Sequence, residues 1–191
     1  MKKILSLSLS MIITFSLTAF AAEKRGSLEK SINYVQVKKN GKWQEAESGA
    51  SLFVGNTLRT GPRSVAEVKY DDGSLTRIGS RSNIVISDRK LNIKRGYIWG
   101  KVDKNKTKGL KIFTANAVAS IVGTEFFVEY NTDKSTTVTV LEGTIEVQGK
   151  SGKVMVSGGT ASTIEADGSV SEPTSFDVNK VLERYGEVAK M

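Results

Sequence analysis

Apolar and polar residues alternate with a period of two along most of the chain, the spacing of strands with one buried face. Tyr34-Val35-Gln36-Val37-Lys38 runs into Asn40-Gly41 and returns through Lys42-Trp43-Gln44-Glu45-Ala46. Asn-Gly tolerates positive φ at both turn positions, so this pair predicts a tight hairpin. Ala66 to Tyr70 alternates, meets Asp71-Asp72-Gly73-Ser74 and returns through Thr76-Arg77-Ile78. The pattern continues through Ile84 and Ile86, Leu91 and Ile93, and Ile98, Gly100 and Val102. After a basic loop from Asp103 to Gly109 it resumes at Ile112-Phe113, Phe126-Val128-Tyr130 and Val138-Val140. Glu142-Gly143 is expected to turn the chain into a returning strand with Ile145 and Val147, before Val154 to Val156, Gly158-Gly159 and a turn at Ala166 to Ser169. About ten to twelve short strands with regular turn signals predict an all-β fold, a β-sandwich or jelly roll, with a β-solenoid as the alternative. Trp43, Leu58, Ile78, Phe126 and Val140 fall on apolar positions of the alternation and are expected in the core.

The period changes near the end. Val178, Val181, Leu182, Tyr185 and Val188 share one helical face over 173–191. Ser175 is expected as the N-cap and Asp177 in the first turn. Gly186 costs a helix up to ~1 kcal/mol, so fraying is expected beyond it. A short helix with four or five apolar residues on one face needs tertiary contact, which predicts a cap over the sheets.

The beginning reads as an address. Met1-Lys2-Lys3 is basic, an apolar run follows to Thr18, and Ala19-Phe20-Ala21 ends it with small residues where a signal peptidase reads. A secretory signal peptide over 1–21, cleaved after Ala21, is the expectation. The product would be periplasmic or extracellular, with no transmembrane span in the mature chain, an all-β domain over 22–172 and the helix after it. Nucleic acid is then not an expected partner.

Composition narrows the chemistry. The 191 residues contain no Cys and no His, which removes disulfides, thiolate nucleophiles, His bases and His-ligated metals. The hairpin pattern around Thr136–Val147 has a superficial likeness to cupins, and the missing histidines exclude their metal site. Ser27-x-x-Lys30 has the spacing of a Ser-Lys nucleophile but none of its companion motifs. Asp71-Asp72 offers too few oxygens for calcium. Glu125, Glu129 and Glu142 are the carboxylates that a paired-acid hydrolase would have to use. The chain is therefore read as no enzyme, with no cofactor.

Charge is uneven. The formal net charge is +8, and residues 76–111 carry 11 Lys/Arg against 2 Asp/Glu, while residues 112–191 carry 6 against 11. Within the basic third, Tyr97, Trp99 and Lys101 alternate with Ile98, Gly100 and Val102. With Ile98 and Val102 in the core, two aromatics and a lysine lie on the other face, near Lys94, Arg95, Lys104, Lys106 and Lys108. Such a patch suits an envelope protein or an anionic glycan. In the competing arrangement Tyr97 and Trp99 pack beneath another strand or the C-terminal helix.

The order of motifs adds a resemblance. Gly41 and Trp43, then Gly55-Asn56-Thr57-Leu58-Arg59-Thr60-Gly61, Asp72-Gly73-Ser74, Arg77-Ile78-Gly79, Gly123-Thr124-Glu125-Phe126 and Leu141-Glu142-Gly143 follow one another as in FecR-type domains. The likeness covers roughly 41–148 and departs at Asn56, where the family often has Asp. It implies an all-β domain of sandwich or jelly-roll type. Named members are envelope sensors in iron-siderophore uptake, with a cytoplasmic helical region that holds a sigma factor, one membrane span and this domain in the periplasm. Because the start of this chain reads as a cleavable signal, the sigma-factor role is not carried over. The resemblance implies a sensor or scaffold that binds a protein in the envelope.

Overall fold

The structure is a computed structural model that describes residues 23–105 and 109–189. The signal-peptide segment, Lys106 and Lys108 lie outside the described residues.

Strands follow in the order β1 (Lys24–Ile32), β2 (Val35–Lys39), β3 (Lys42–Glu45), β4 (Ser51–Phe53), β5 (Thr57–Thr60), β6 (Val65–Tyr70), β7 (Leu75–Ile78), β8 (Asn83–Ser87) and β9 (Lys90–Lys101). Then come β10 (Leu110–Phe113), β11 (Val118–Ile121), β12 (Glu125–Tyr130), β13 (Thr136–Glu142), β14 (Thr144–Gln148), β15 (Lys153–Ser157), β16 (Thr160–Ile164), β17 (Thr174–Ser175) and helix α1 (Val178–Ala189). Seventeen strands exceed the ten to twelve read from the alternation; of those it passes over, β1 buries only Gly26 and Leu28, and β4 and β17 have three and two residues.

Pairing sorts the strands into two layers. Sheet I runs β4-β1-β6-β7-β9-β12-β13-β16-β17. Sheet II runs β3-β2-β5-β8-β9-β10-β11-β14-β15. All ladders are antiparallel except β9 with β10. A solenoid would stack parallel strands, so the solenoid alternative does not form. Leu28, Leu58, Ile78, Ile84, Ile93, Ile98, Phe126, Val140 and Val147 are fully or almost fully buried between the sheets.

Strand β9 belongs to both sheets. Its first half pairs with β8 and β10 and its second half with β7 and β12. The switch falls at Gly96, whose φ is 85°. A Cβ there would lie 2.2 Å from Ser82 Oγ and 2.7 Å from Ser82 Cα, so glycine meets both the left-handed backbone and the close approach. Glu142-Gly143 acts in the same way. The sequence predicts a hairpin there, but β13 pairs with β12 and β16 while β14 pairs with β11 and β15. Gly143 carries the chain from sheet I to sheet II instead of folding it back.

Trp43 also departs from expectation. It pairs with Lys38 in the β2–β3 hairpin, and Val35 and Val37 take the inward positions of β2. Parity therefore puts Trp43 on the outer face of sheet II, half-exposed, with the Arg59 guanidinium 4.1 Å from its ring centre.

The helix starts and ends differently from the sequence reading. Ser175 is taken up in β17, paired with Thr160, and Asp177 caps α1 by accepting a 2.8 Å hydrogen bond from the Asn179 amide. The helix passes through Gly186 to Ala189. Burial of Val181, Tyr185 and Val188 is worth ~1.5–3 kcal/mol per side chain and outweighs the glycine cost.

Two exposed turns share one device. The Asp133 carboxylate accepts from the Ser135 amide at 2.9 Å and hydroxyl at 2.7 Å, and Asp167 does the same with Ser169 at 2.8 and 2.7 Å. The Ser135 hydroxyl and amide hold the Asp133 carboxyl below its ordinary value of 3.8, and the Ser169 amide and hydroxyl do so for Asp167. A lowered native value means that the contribution of these turns is complete above the ordinary value and is lost as pH falls through the native one. The Ser135 and Ser169 amide resonances are therefore expected to hold steady down to about pH 4 and to shift only below it. Shifts completed well above that pH would contradict the assignment.

Candidate functional site

The kink at Gly96 decides what becomes of the basic-aromatic segment. Lys94 and Arg95 precede it, exposed, on the part of β9 that belongs to sheet II. Tyr97, Trp99 and Lys101 follow it, on the outer side of sheet I. Lys104 is exposed in the turn after β9. The structure thus divides the expected patch between two faces of the sandwich.

Ile98 is fully buried in the core, so Tyr97 and Trp99 do point away from it, as parity requires. They do not form an open platform, because α1 lies over them and leaves Trp99 buried and Tyr97 half-exposed. Trp99 is 6% exposed and packs with Val65, Phe127, Val181, Tyr185 and Val188 in a second, smaller cluster. Tyr185 stacks on Phe127 with ring centres 4.6 Å apart and lies 5.1 Å from Tyr97. The expectation of an exposed aromatic platform is corrected here. The competing arrangement, with both aromatics beneath the C-terminal helix, is the one that forms.

Polar groups ring this cluster. Tyr185 donates to Glu129 at 2.7 Å, and Arg184 pairs with the same carboxylate at 2.7 Å. Glu187 receives the Tyr97 hydroxyl, the Ser80 amide at 2.8 Å and the Ser80 hydroxyl at 2.9 Å. Arg77 pairs with Glu67 at 2.6 Å, stacks 4.4 Å from the Trp99 ring centre and donates to the Val188 carbonyl at 2.9 Å. The Arg77 charge therefore sits at the negative end of α1, where a cation is favoured. Trp99 donates to Glu125 at 3.2 Å, and Glu125 also pairs with Lys101 at 3.1 Å. Burial and the Glu187 carboxylate push the Tyr97 hydroxyl far above its ordinary value, and burial with Glu129 does the same for Tyr185. Both phenols are held in the protonated, donating form.

The carboxylates considered for hydrolysis are engaged or apart. Glu125 and Glu129 lie four residues apart on β12, about 13 Å along a strand, wider than either glycosidase geometry. Glu142 is exposed at the Gly143 crossover. Asp72 is spent on the β6–β7 turn, accepting from the Ser74 amide at 2.9 Å. Ser27 and Lys30 lie in β1, inside the domain. Among the described residues no three His, Cys, Asp or Glu side chains come together to hold a metal, and no helix is long and apolar enough to cross a membrane.

Sheet II has no helix over it among the described residues. A cross-strand row on its outer face runs Trp43, Lys38, Thr57, Val85, Asn92, Phe113, Val118, Gln148 and Lys153. All nine are exposed or half-exposed. The Lys38 ammonium stands 5.8 Å from the Trp43 ring centre, and Arg59 donates to Gln36 at 2.6 Å. Sequence reasoning passed over Val85, Phe113 and Lys38 as ordinary strand positions. The signal that finds them is parity: each alternates with a fully buried neighbour in its own strand.

Comparison with known proteins agrees with this architecture. Residues 56–146 match the family model described as FecR protein. No curated protein matches the chain. Two crystal structures of a candidate anti-sigma factor from Parabacteroides distasonis ATCC 8503, at 1.65 and 2.50 Å resolution, share the fold. Each superposes with a TM-score of 0.57 at 16% identity, over 65% of this chain and 62% of the other. The chain thus spans less than two thirds of those structures, and the likeness is one of fold. The matched segment holds β5 to β13, both halves of the kinked β9 and most of β14, so the match to the FecR family model spans the middle of the sandwich.

Proposed function

We propose that the protein is an exported, non-enzymatic regulatory module of the cell envelope that acts by binding a protein, as a sensor or scaffold. The match to the FecR family model at 56–146 is the observation that carries this reading. The description of the fold neighbours as candidate anti-sigma factors supports it. Export rests on the basic, apolar and small-residue order of Met1 to Ala21. Glu67, Glu125, Glu129 and Glu187 serve ion pairs and helix docking, and Asp72, Asp133 and Asp167 serve turns.

The anionic-glycan alternative needs Tyr97 and Trp99 as an open stacking platform, and α1 buries Trp99 and covers part of Tyr97. Protein contact is therefore the reading that this geometry favours.

Two measurements test it together. Fractionation with intact-mass analysis is expected to find the protein in the periplasm or medium, beginning at Ala22. A chain retained in the cytoplasm with residues 1–21 attached would overturn export. Crosslinking in intact producing cells is expected to give a discrete protein adduct above the processed chain, which is itself lighter than the 20.7 kDa of the full 191 residues. Its absence under conditions that trap known envelope complexes would overturn protein binding.

A further inference from the structure

We propose that the open outer face of sheet II docks an acidic segment of the protein partner, with Val85, Phe113 and Val118 at its centre and Lys38, Lys90 and Lys111 around it. This deepens the protein-binding reading above and rests on it.

Register joins the three apolar side chains. Val85 and Phe113 both stand beside Asn92, on either side of β9, and Phe113 stands beside Val118. All three are half-exposed, while their strand neighbours Ile84, Ile86, Ile112 and Ala119 are buried. The strip is therefore the visible part of a face whose other side is core.

Charge then selects the partner. Lys90 and Lys111 are directly paired across the β9–β10 ladder and both are exposed. Neither, nor Lys38, has an ion pair among the described residues. Like charges side by side on a sheet are unfavourable in the free protein. The same pair becomes favourable once a carboxylate lies between the two ammonium groups. On this face Glu146 is already paired with Lys153 at 3.0 Å and does not serve.

The apolar centre favours a protein over a polysaccharide. Val85 and Val118 offer no hydrogen-bonding group to sugar hydroxyls, and an apolar centre within a charged rim is the anatomy of a protein interface. The nine strands of sheet II span roughly 38 Å at ~4.8 Å per spacing. That width accommodates an ordinary interface of ~800 Å² per partner. Among the described residues α1 lies over the middle strands of sheet I, and no helix lies over sheet II.

The test is photocrosslinking in the intact producing cell, with benzoylphenylalanine at Val85 or Phe113 and, as controls, at exposed Val178 or Lys150. The expected result is one protein adduct from positions 85 and 113, crosslinked to an acidic peptide, and none from the controls. Lys111→Glu is expected to raise the melting temperature by ~1–3 °C, by pairing with Lys90, while cutting the adduct at least ~5-fold. Lys111→Arg is expected to keep the adduct. Lys111→Gln gives the loss without charge reversal should the Glu variant not fold. Protein adducts from the controls alone would overturn this face and leave the protein-binding reading standing. No protein adduct from any position would overturn both. A glycan adduct at 85 and 113, or a melting temperature lowered by Lys111→Glu, would overturn the proposal.

Discussion

Gly96→Ala is expected to lower the stability of the protein by roughly 2–5 kcal/mol, the sum of a left-handed backbone penalty of ~1–2 kcal/mol and overpacking of ~1–3 kcal/mol. Both causes are local to one atom. The backbone at Gly96 has φ 85°, and the added Cβ meets the Ser82 backbone at 2.7 Å, which cannot swing aside as a flexible side chain would. Ser82 is also held from other directions. Its amide donates to the Thr60 hydroxyl at 2.9 Å, and its own hydroxyl accepts from the Tyr97 amide at 3.1 Å. Gly41→Ala is the control. Gly41 has φ 79° but nothing within 4 Å of the new Cβ, so only the backbone cost of ~1–2 kcal/mol is expected. Urea unfolding of both variants, with unchanged slopes, isolates the Ser82 clash as the difference between the midpoints. Equal losses would show that crowding at the sheet switch plays no part.

The second large effect is expected at the helix. Tyr185→Ala removes a ring that stacks on Phe127, borders Tyr97 and donates to Glu129, and a loss of ~3 kcal/mol in helix docking follows. Tyr185→Phe keeps the stacking and loses one hydrogen bond to a charged acceptor, a cost of ~1.5–3 kcal/mol that Arg184 at Glu129 reduces. Since the cluster under α1 is separate from the main core, the Ala variant is expected to undock locally before the sheets melt. Trp99 reports this. In a Trp43→Phe background its emission is expected to shift to the red at urea concentrations where the far-ultraviolet signal of the strands has not changed. Coincident transitions in the Ala variant would mean that helix and sandwich form one unit.

Much of this fold was legible in the chain because a strand writes its two faces directly into the alternation. Val35 and Val37, Ile84 and Ile86, and Val138 and Val140 all face inward as read. Asn40-Gly41 and Asp72-Gly73 form their hairpins because each turn is closed by residues within it. Strand β1 escaped because only Gly26 and Leu28 in it are buried, and its place is set by β4 and β6 far along the chain. Glu142-Gly143 looks the same in sequence whether it folds a strand back or passes it to the other sheet. That choice is made by β16 and β11, which take the neighbouring positions.

The site was legible in part for the same reason. Parity placed Tyr97 and Trp99 on the side of β9 away from Ile98. It carries no information about what covers that side. Glu187 and Tyr185 reach Tyr97 from some ninety residues away, and Arg77 meets the Val188 carbonyl across more than a hundred. The charge run suggested one patch because its residues are close in sequence. One left-handed glycine sends its two halves to opposite faces.

Strand β9 also sets how the molecule can come apart. It is hydrogen-bonded to β8 and β10 in one layer and to β7 and β12 in the other, so neither layer can peel away while β9 stays paired. A sandwich whose sheets meet only through side chains can lose one sheet and keep the other as an intermediate. Here the backbone of a single segment is stitched into both, and opening either layer strips half of the ladder from the strand that the other layer needs. A protease that samples transient openings would then find the helix first, and after it the whole sandwich at once.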